Sequence, residues 1–215
     1  MKKFIKIASL VLCAVALVVA SVLATLAYLQ STSNVAKNTF TVGKVAITLD
    51  EAKVDEYGVP VEGADRVIEN EYKLIPSQTY TKDPTVTVAD KSEPCYVRML
   101  VTITDIADVK AVFGNDFLPQ DFVNGTWDSA TWISTGVVTE NTDGSYTYEF
   151  RYKEVVDARE GAVKLEPLFT EFHIGNDLTE TQLTKIADAK INVVAHAIQA
   201  TGFANADAAW SSWAN

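Results

Sequence analysis

The chain has 215 residues, with 28 Asp and Glu against 18 Lys and Arg, two cysteines and two histidines. An acidic balance of this size excludes the basic footprint of a nucleic-acid binder. Cys13 lies in the apolar N-terminal run, which leaves Cys95 without an intramolecular partner once that run is removed, so no disulfide framework is expected.

The N-terminus reads Met1-Lys2-Lys3-Phe4-Ile5-Lys6 and then runs from Ile7 to Ala36 without a charge. A basic start followed by a long apolar run is the layout of a secretory signal, and an apolar signal helix is expected there. The run is also long enough to span a bilayer as a retained anchor. In that case Lys2, Lys3 and Lys6 would keep the start inside. Either outcome places the remainder outside the cytoplasm. Small residues at −3 and −1 make Thr25-Leu26-Ala27 the favoured cleavage signal, leaving Tyr28 as the new N-terminus; Val22-Leu23-Ala24 competes less well. Cys13 follows the large Leu12 in mid-run, which argues against a lipidated cysteine. Removal of residues 1–27 takes away three Lys and no acid, leaving 15 basic and 28 acidic residues, a formal charge of −13. Residues 28–215 are enough for one domain with a sizeable core.

Residues 28–38 are small and polar and read as a flexible leader. Val45 to Leu49 alternate as a strand with one buried face. Residues 50–70 are acidic and punctuated by Gly58 and Gly63, an exposed connection. Pro76 and Pro84 bracket an irregular stretch, followed by the short strand Thr85–Val88. Cys95 to Thr104 is the strongest strand signal, with Arg98 on the face of Tyr96 and Leu100 as a solvated or paired residue. Ile106, Val109, Val112 and Phe113 suit one face of a short helix closed by Gly114. Trp132–Val138 and Ser145–Val156 flank Asp143-Gly144 and form a hairpin. Leu168–Ile174 reads as a strand, Thr179–Ala189 as helical, Ile191–Ala200 as an alternating strand, and Asn205–Trp213 as a helical cap carrying Trp210 and Trp213. Many β-branched residues and only short helices predict an all-β antiparallel β-sandwich with short helices in its connections. Periodicity does not choose a topology; a jelly roll is one of those allowed.

The chemical motifs are largely missing. No His-Glu-x-x-His and no Gly-x-Ser-x-Gly occur in the sequence. His173 and His196 read as packed or edge histidines, and their spacing supports no zinc site. Cys95 reads as a small buried hydrophobe. No calcium or phosphate loop is present. No catalytic residue, metal or cofactor is therefore expected. A secreted β-sandwich exposes strand edges instead, and an edge pairs readily with an extended segment of another chain.

Several stretches resemble the TasA/camelysin family. They are Thr25-Leu26-Ala27-Tyr28-Leu29, Asn38-Thr39-Phe40-Thr41-Val42-Gly43-Lys44-Val45, Tyr80–Val86, Ser92–Arg98, Leu168-Phe169, and Ala195–Ala200 with Trp210. The resemblance implies a jelly-roll sandwich in a Gram-positive bacterium, cleaved by a signal peptidase of the SipW type. It divides the chain into a signal peptide (1–27), a leader or candidate donor strand (28–41) and a jelly-roll domain (42–215). It also implies a secreted subunit of cell-surface or biofilm-matrix fibres, polymerising head to tail by donor-strand complementation. Tyr28, Leu29, Val35 and Phe40 would lie in the donor. Its partners would be further copies of itself, the signal peptidase during export, and other matrix or cell-wall components. The membrane would be met only through the uncleaved signal. Two alternatives stand beside this: a camelysin-like surface metalloendopeptidase, and a monomeric, membrane-anchored adhesion domain. Leu29 and Ser31-Thr32-Ser33 depart from the aromatic and acidic residues common in the family after the cleavage point.

Overall fold

The alternation along Ser92–Ile103 (β5) sends Val97, Met99, Val101 and Ile103 into the core, and Tyr96, Arg98, Leu100 and Thr102 lie on the other face. The computed structural model describes residues 30–33 (backbone only), 45–119, 127 and 129–213. The signal segment, with Thr25, Ala27 and Tyr28, and the candidate donor residues Leu29, Val35 and Phe40 lie outside the described residues.

The described strands are antiparallel throughout and form three sheets, with a few short helices between them: the protein is all-β. In the largest sheet the order is β1 (Gln30–Ser33), β11 (Ile191–Gln199), β5, β7 (Tyr146–Tyr152) and β6 (Trp132–Glu140). Strand β8 (Val156–Ala158) also pairs with β5. Cys95 pairs with Gln199 on one side and Val156 on the other, so β8 follows β7 along the same flank. The second sheet joins β2 (Ile47–Asp50), β4 (Thr85–Val88) and β9 (Val163–Lys164), and the third joins β3 (Thr79–Thr81) to β10 (Glu171–His173). Val45, Ile47, Tyr80, Val86, Val88 and Phe172 from the small sheets share one buried cluster with Val97, Met99, Val101, Tyr148 and Phe150 from the large one. Trp132 is fully buried in it, and its indole N–H donates to the Glu166 carbonyl at 2.9 Å.

The hairpin expected at Asp143-Gly144 is present. Gly144 takes φ +80, and the Asp143 carboxylate accepts from the backbone and hydroxyl of Ser145. Helix α1 (Ile106–Phe113) buries Ile106 and Val109 and ends at Gly114 with φ +109. Helix α2 (Glu180–Lys185) carries a capping box between Thr179 and Gln182, and α3 (Ala206–Ser211) is capped by Asn205.

Three expectations are corrected. The leader was read as flexible, yet Gln30–Ser33 forms a strand, because its backbone pairs with the edge of β11. The strand expected over Leu168–Ile174 is confined to Glu171–His173. Residues 50–70 are not simply an exposed connection. Arg66 is paired with Asp50 and, at 2.8 Å, with Asp83, and it donates to Thr85 Oγ1 at 3.0 Å. Lys82 meets Glu51 at 2.7 Å, both side chains nearly buried. Gly58 (φ +76) packs so closely that a Cβ there would lie 2.7 Å from the Tyr80 Cα.

Candidate functional site

Strand β11 is flanked by β5 over its whole length, but on its other side β1 covers only Ala195–Ile198. The register runs Gln30 to Ile198, Ser31 to Ala197, Thr32 to His196 and Ser33 to Ala195. Continued by one residue, it reaches Val194. No described strand pairs with Ile191–Val194 on that side. A sheet edge of this kind presents unpaired backbone N–H and C=O groups in the geometry of the next strand.

The uncovered stretch opens onto a groove of about 840 Å³. Ile191 to Val194 line it together with Leu49–Glu51 and Ile68–Tyr72. Phe113 and Phe117 also line it, as do the charged residues Glu69, Glu71, Lys82 and Lys190. The Tyr72 hydroxyl donates to the Thr81 carbonyl at 3.1 Å, and burial, aided by the charge of Glu51, raises its pKa well above that of an ordinary phenol. A groove beside a strand flank that no described strand covers suits an extended peptide, whose backbone groups would pair with the flank while alternate side chains enter the groove.

The remaining sequence candidates are placed as follows. Cys95 is a buried thiol facing the core, and burial pushes it up to about 12. It packs as a hydrophobe. His173 sits on β10, its Nδ1 2.9 Å from Thr79 Oγ1. His196 is buried on the outer face of β11 beside Arg98 and beneath Trp213. Among the described residues, no three His, Cys, Asp or Glu side chains gather as a metal-ion site would require.

Sequence reasoning identified β11 as a strand but not its neighbours, since alternation reports a buried face and not the strands on either side. It did not find Ile68–Tyr72 as a groove wall either, because nothing local marks a loop that folds back beside a strand 120 residues later. The two tryptophans three apart in an otherwise small-residue tail were the available signal for the Arg98–His196 cluster. No protein-family model, curated protein or solved structure matches the chain.

Proposed function

We propose that this chain is a secreted structural protein of the cell surface or biofilm matrix, with jelly-roll topology, that polymerises into fibres by exchange of its mature N-terminal strand. The observation that carries the reading is the pairing of Gln30–Ser33 with Ala195–Ile198 at the edge of the large sheet. A short leader held at an edge by backbone hydrogen bonds can be replaced by the same leader from another copy with the same bonds. Such a contact joins unlike surfaces, so it propagates as an open filament rather than closing into a ring. Among the described residues no strand flanks Ile191–Val194 on this side, and a longer donor would extend its pairing there, beside the groove.

The N-terminal segment fits the same scheme. Until a peptidase cuts after Ala27, the leader is joined to a basic-apolar signal and cannot reach a neighbour. The formal charge of −13 on residues 28–215 opposes indiscriminate association, so contact between copies depends on a specific strand pairing.

The test compares purified residues 28–215 with residues 42–215 by electron microscopy. Filaments from the longer protein alone support the proposal. Identical filaments from both, or none from either, would overturn it.

A further inference from the structure

On the outer face of the large sheet, opposite the core, one row of register partners crosses four strands: His196, Arg98, Arg151 and Ile133. The C-terminal segment lies over the middle of this row. Ile198, Ala209 and Trp210 form a small separate core with Tyr96, Phe203, Ala206 and Trp213 around it. Trp210 and Trp213 lie over the Arg98 guanidinium, at 4.4 and 5.4 Å from its carbon to the ring centroids. His196 stacks on Trp213, with centroids 4.7 Å apart and planes 12° from parallel. Thus the aromatic residues of the tail rest on a base of two polar side chains, Arg98 and His196.

That base works in one protonation state. Arg98 Nε donates to His196 Nδ1 at 3.2 Å, and Nη2 lies 3.1 Å from the same nitrogen. A guanidinium has only donors, so Nδ1 accepts and the ring is neutral, with its proton on Nε2. A proton on Nδ1 would cancel this bond and set a second cation against Arg98. The stacked Trp213 ring favours a cation in its turn. The balance nonetheless lies with the neutral ring: burial first, and Arg98 second, hold His196 down to about 4, with Glu149 offsetting part of this.

We infer that residues 203–213 form an acid-released clasp over the outer face of β5 and β11, held shut by neutral His196 and opened when the imidazole takes a proton. The ionisable groups facing His196 from each packed element are few. On β5 there is Arg98; on β7, Glu149, 3.6 Å from Arg98, and Arg151. On α3 there is Asp207, which is paired with Arg151. Residues Gln30–Ser33 of β1 include no ionisable side chain. Of these, only His196 belongs to the residue type that ordinarily changes charge between pH 5 and 8, and burial lowers its pKa in the closed clasp. The Trp210 indole N–H is buried without a hydrogen-bond partner among the described residues, which makes the closed clasp less secure than an apolar core of the same size. Opening bares Tyr96 and Ile198 beside the residues with which β1 pairs. The clasp does not depend on the leader exchanging between copies.

The sign follows from linkage. His196 binds a proton less readily with the clasp closed than open, so the closed state is favoured above pH 6.5 and loses ground as the pH falls toward 4. The opening equilibrium rises by up to about tenfold per pH unit across that window, up to about 300-fold in all. Hydrogen exchange on residues 28–215 measures this at the amides of Ala209, Ser212 and Trp213, corrected for intrinsic rates. Protection there should fall with pH while that of Val97 and Val101 holds. His196→Gln keeps a neutral acceptor for Arg98 and should make the tail's protection independent of pH. Tail protection that is flat in the parent, that changes equally in the Gln variant, or that falls in step with Val97 and Val101 would overturn the clasp. Nuclear magnetic resonance of the parent gives an independent check: His196 titrating near 6.5 also overturns it.

Discussion

Ser33 of β1 stands opposite Ala195 of β11, and beyond this pair no described strand continues along the edge. Among the described residues, β11 thus has a strand on this flank over Ala195–Ile198 and none over Ile191–Val194. Backbone pairing of this kind is insensitive to side-chain identity, which allows the polar Gln-Ser-Thr-Ser sequence to form a strand at all.

If the leader exchanges between copies in this register, a cysteine pair at the junction reports it. Ser33→Cys with Ala195→Cys places two thiols at directly opposed positions, within reach of a disulfide. Oxidised under filament-forming conditions, the protein should run as a ladder of covalent multimers on a non-reducing gel. A single band at monomer mass, with filaments still present, would show that the leader stays on its own subunit.

Gly58 is expected to tolerate no side chain. Its φ of +76 disfavours any L-residue, and an added Cβ would collide with Tyr80 backbone and ring atoms at 2.7 Å. Gly58→Ala should cost about 2–4 kcal/mol, read as a lowered denaturation midpoint. Gly63, with φ +74 and nothing within 4 Å, should lose less on the same change, since only the conformational strain remains.

The Glu51–Lys82 pair should show strong dependence of each partner on the other. Both side chains are nearly buried, and Asn70 Nδ2 donates to Glu51 Oε1 at 3.0 Å. Lys82→Met alone strands a buried carboxylate and should destabilise by about 3–5 kcal/mol. Adding Glu51→Gln should restore much of this, because the uncompensated charge is then gone. A double-mutant cycle by chemical denaturation measures the coupling; additive single effects would contradict it.

Cys95 should be inert in the folded protein. It has no exposed surface, and burial keeps the thiol neutral up to about pH 12. A thiol reagent at pH 8 should label it only after denaturation, since the thiolate is the reacting species. Rapid labelling of the native protein would show that the core around β5 opens readily.

Much of the fold was legible locally. β4, β5, β11 and the Asp143-Gly144 hairpin follow from alternation and turn residues, which act over a few positions. β3 was missed because three residues, Thr79–Thr81, carry little periodicity and their partner β10 lies ninety residues on. The anchoring of residues 50–70 was missed for a related reason. Acidic composition signals exposure, but Arg66 gathers Asp50 of β2 and Asp83 of the β3–β4 connection into one network.

The sequence by itself determined the basic start and apolar run at the N-terminus, the acidic charge balance, the β-rich composition and the inward faces of the longer strands. These depend on charge, hydropathy and period-two alternation, all readable along the chain. Only the tertiary structure decided that β11 lies between β5 and the leader strand Gln30–Ser33, and that Arg98 and His196 support the tail's tryptophans. Those are pairings between residues far apart in sequence. Which strand lacks a neighbour depends on the order of the whole sheet and on no property of the strand itself.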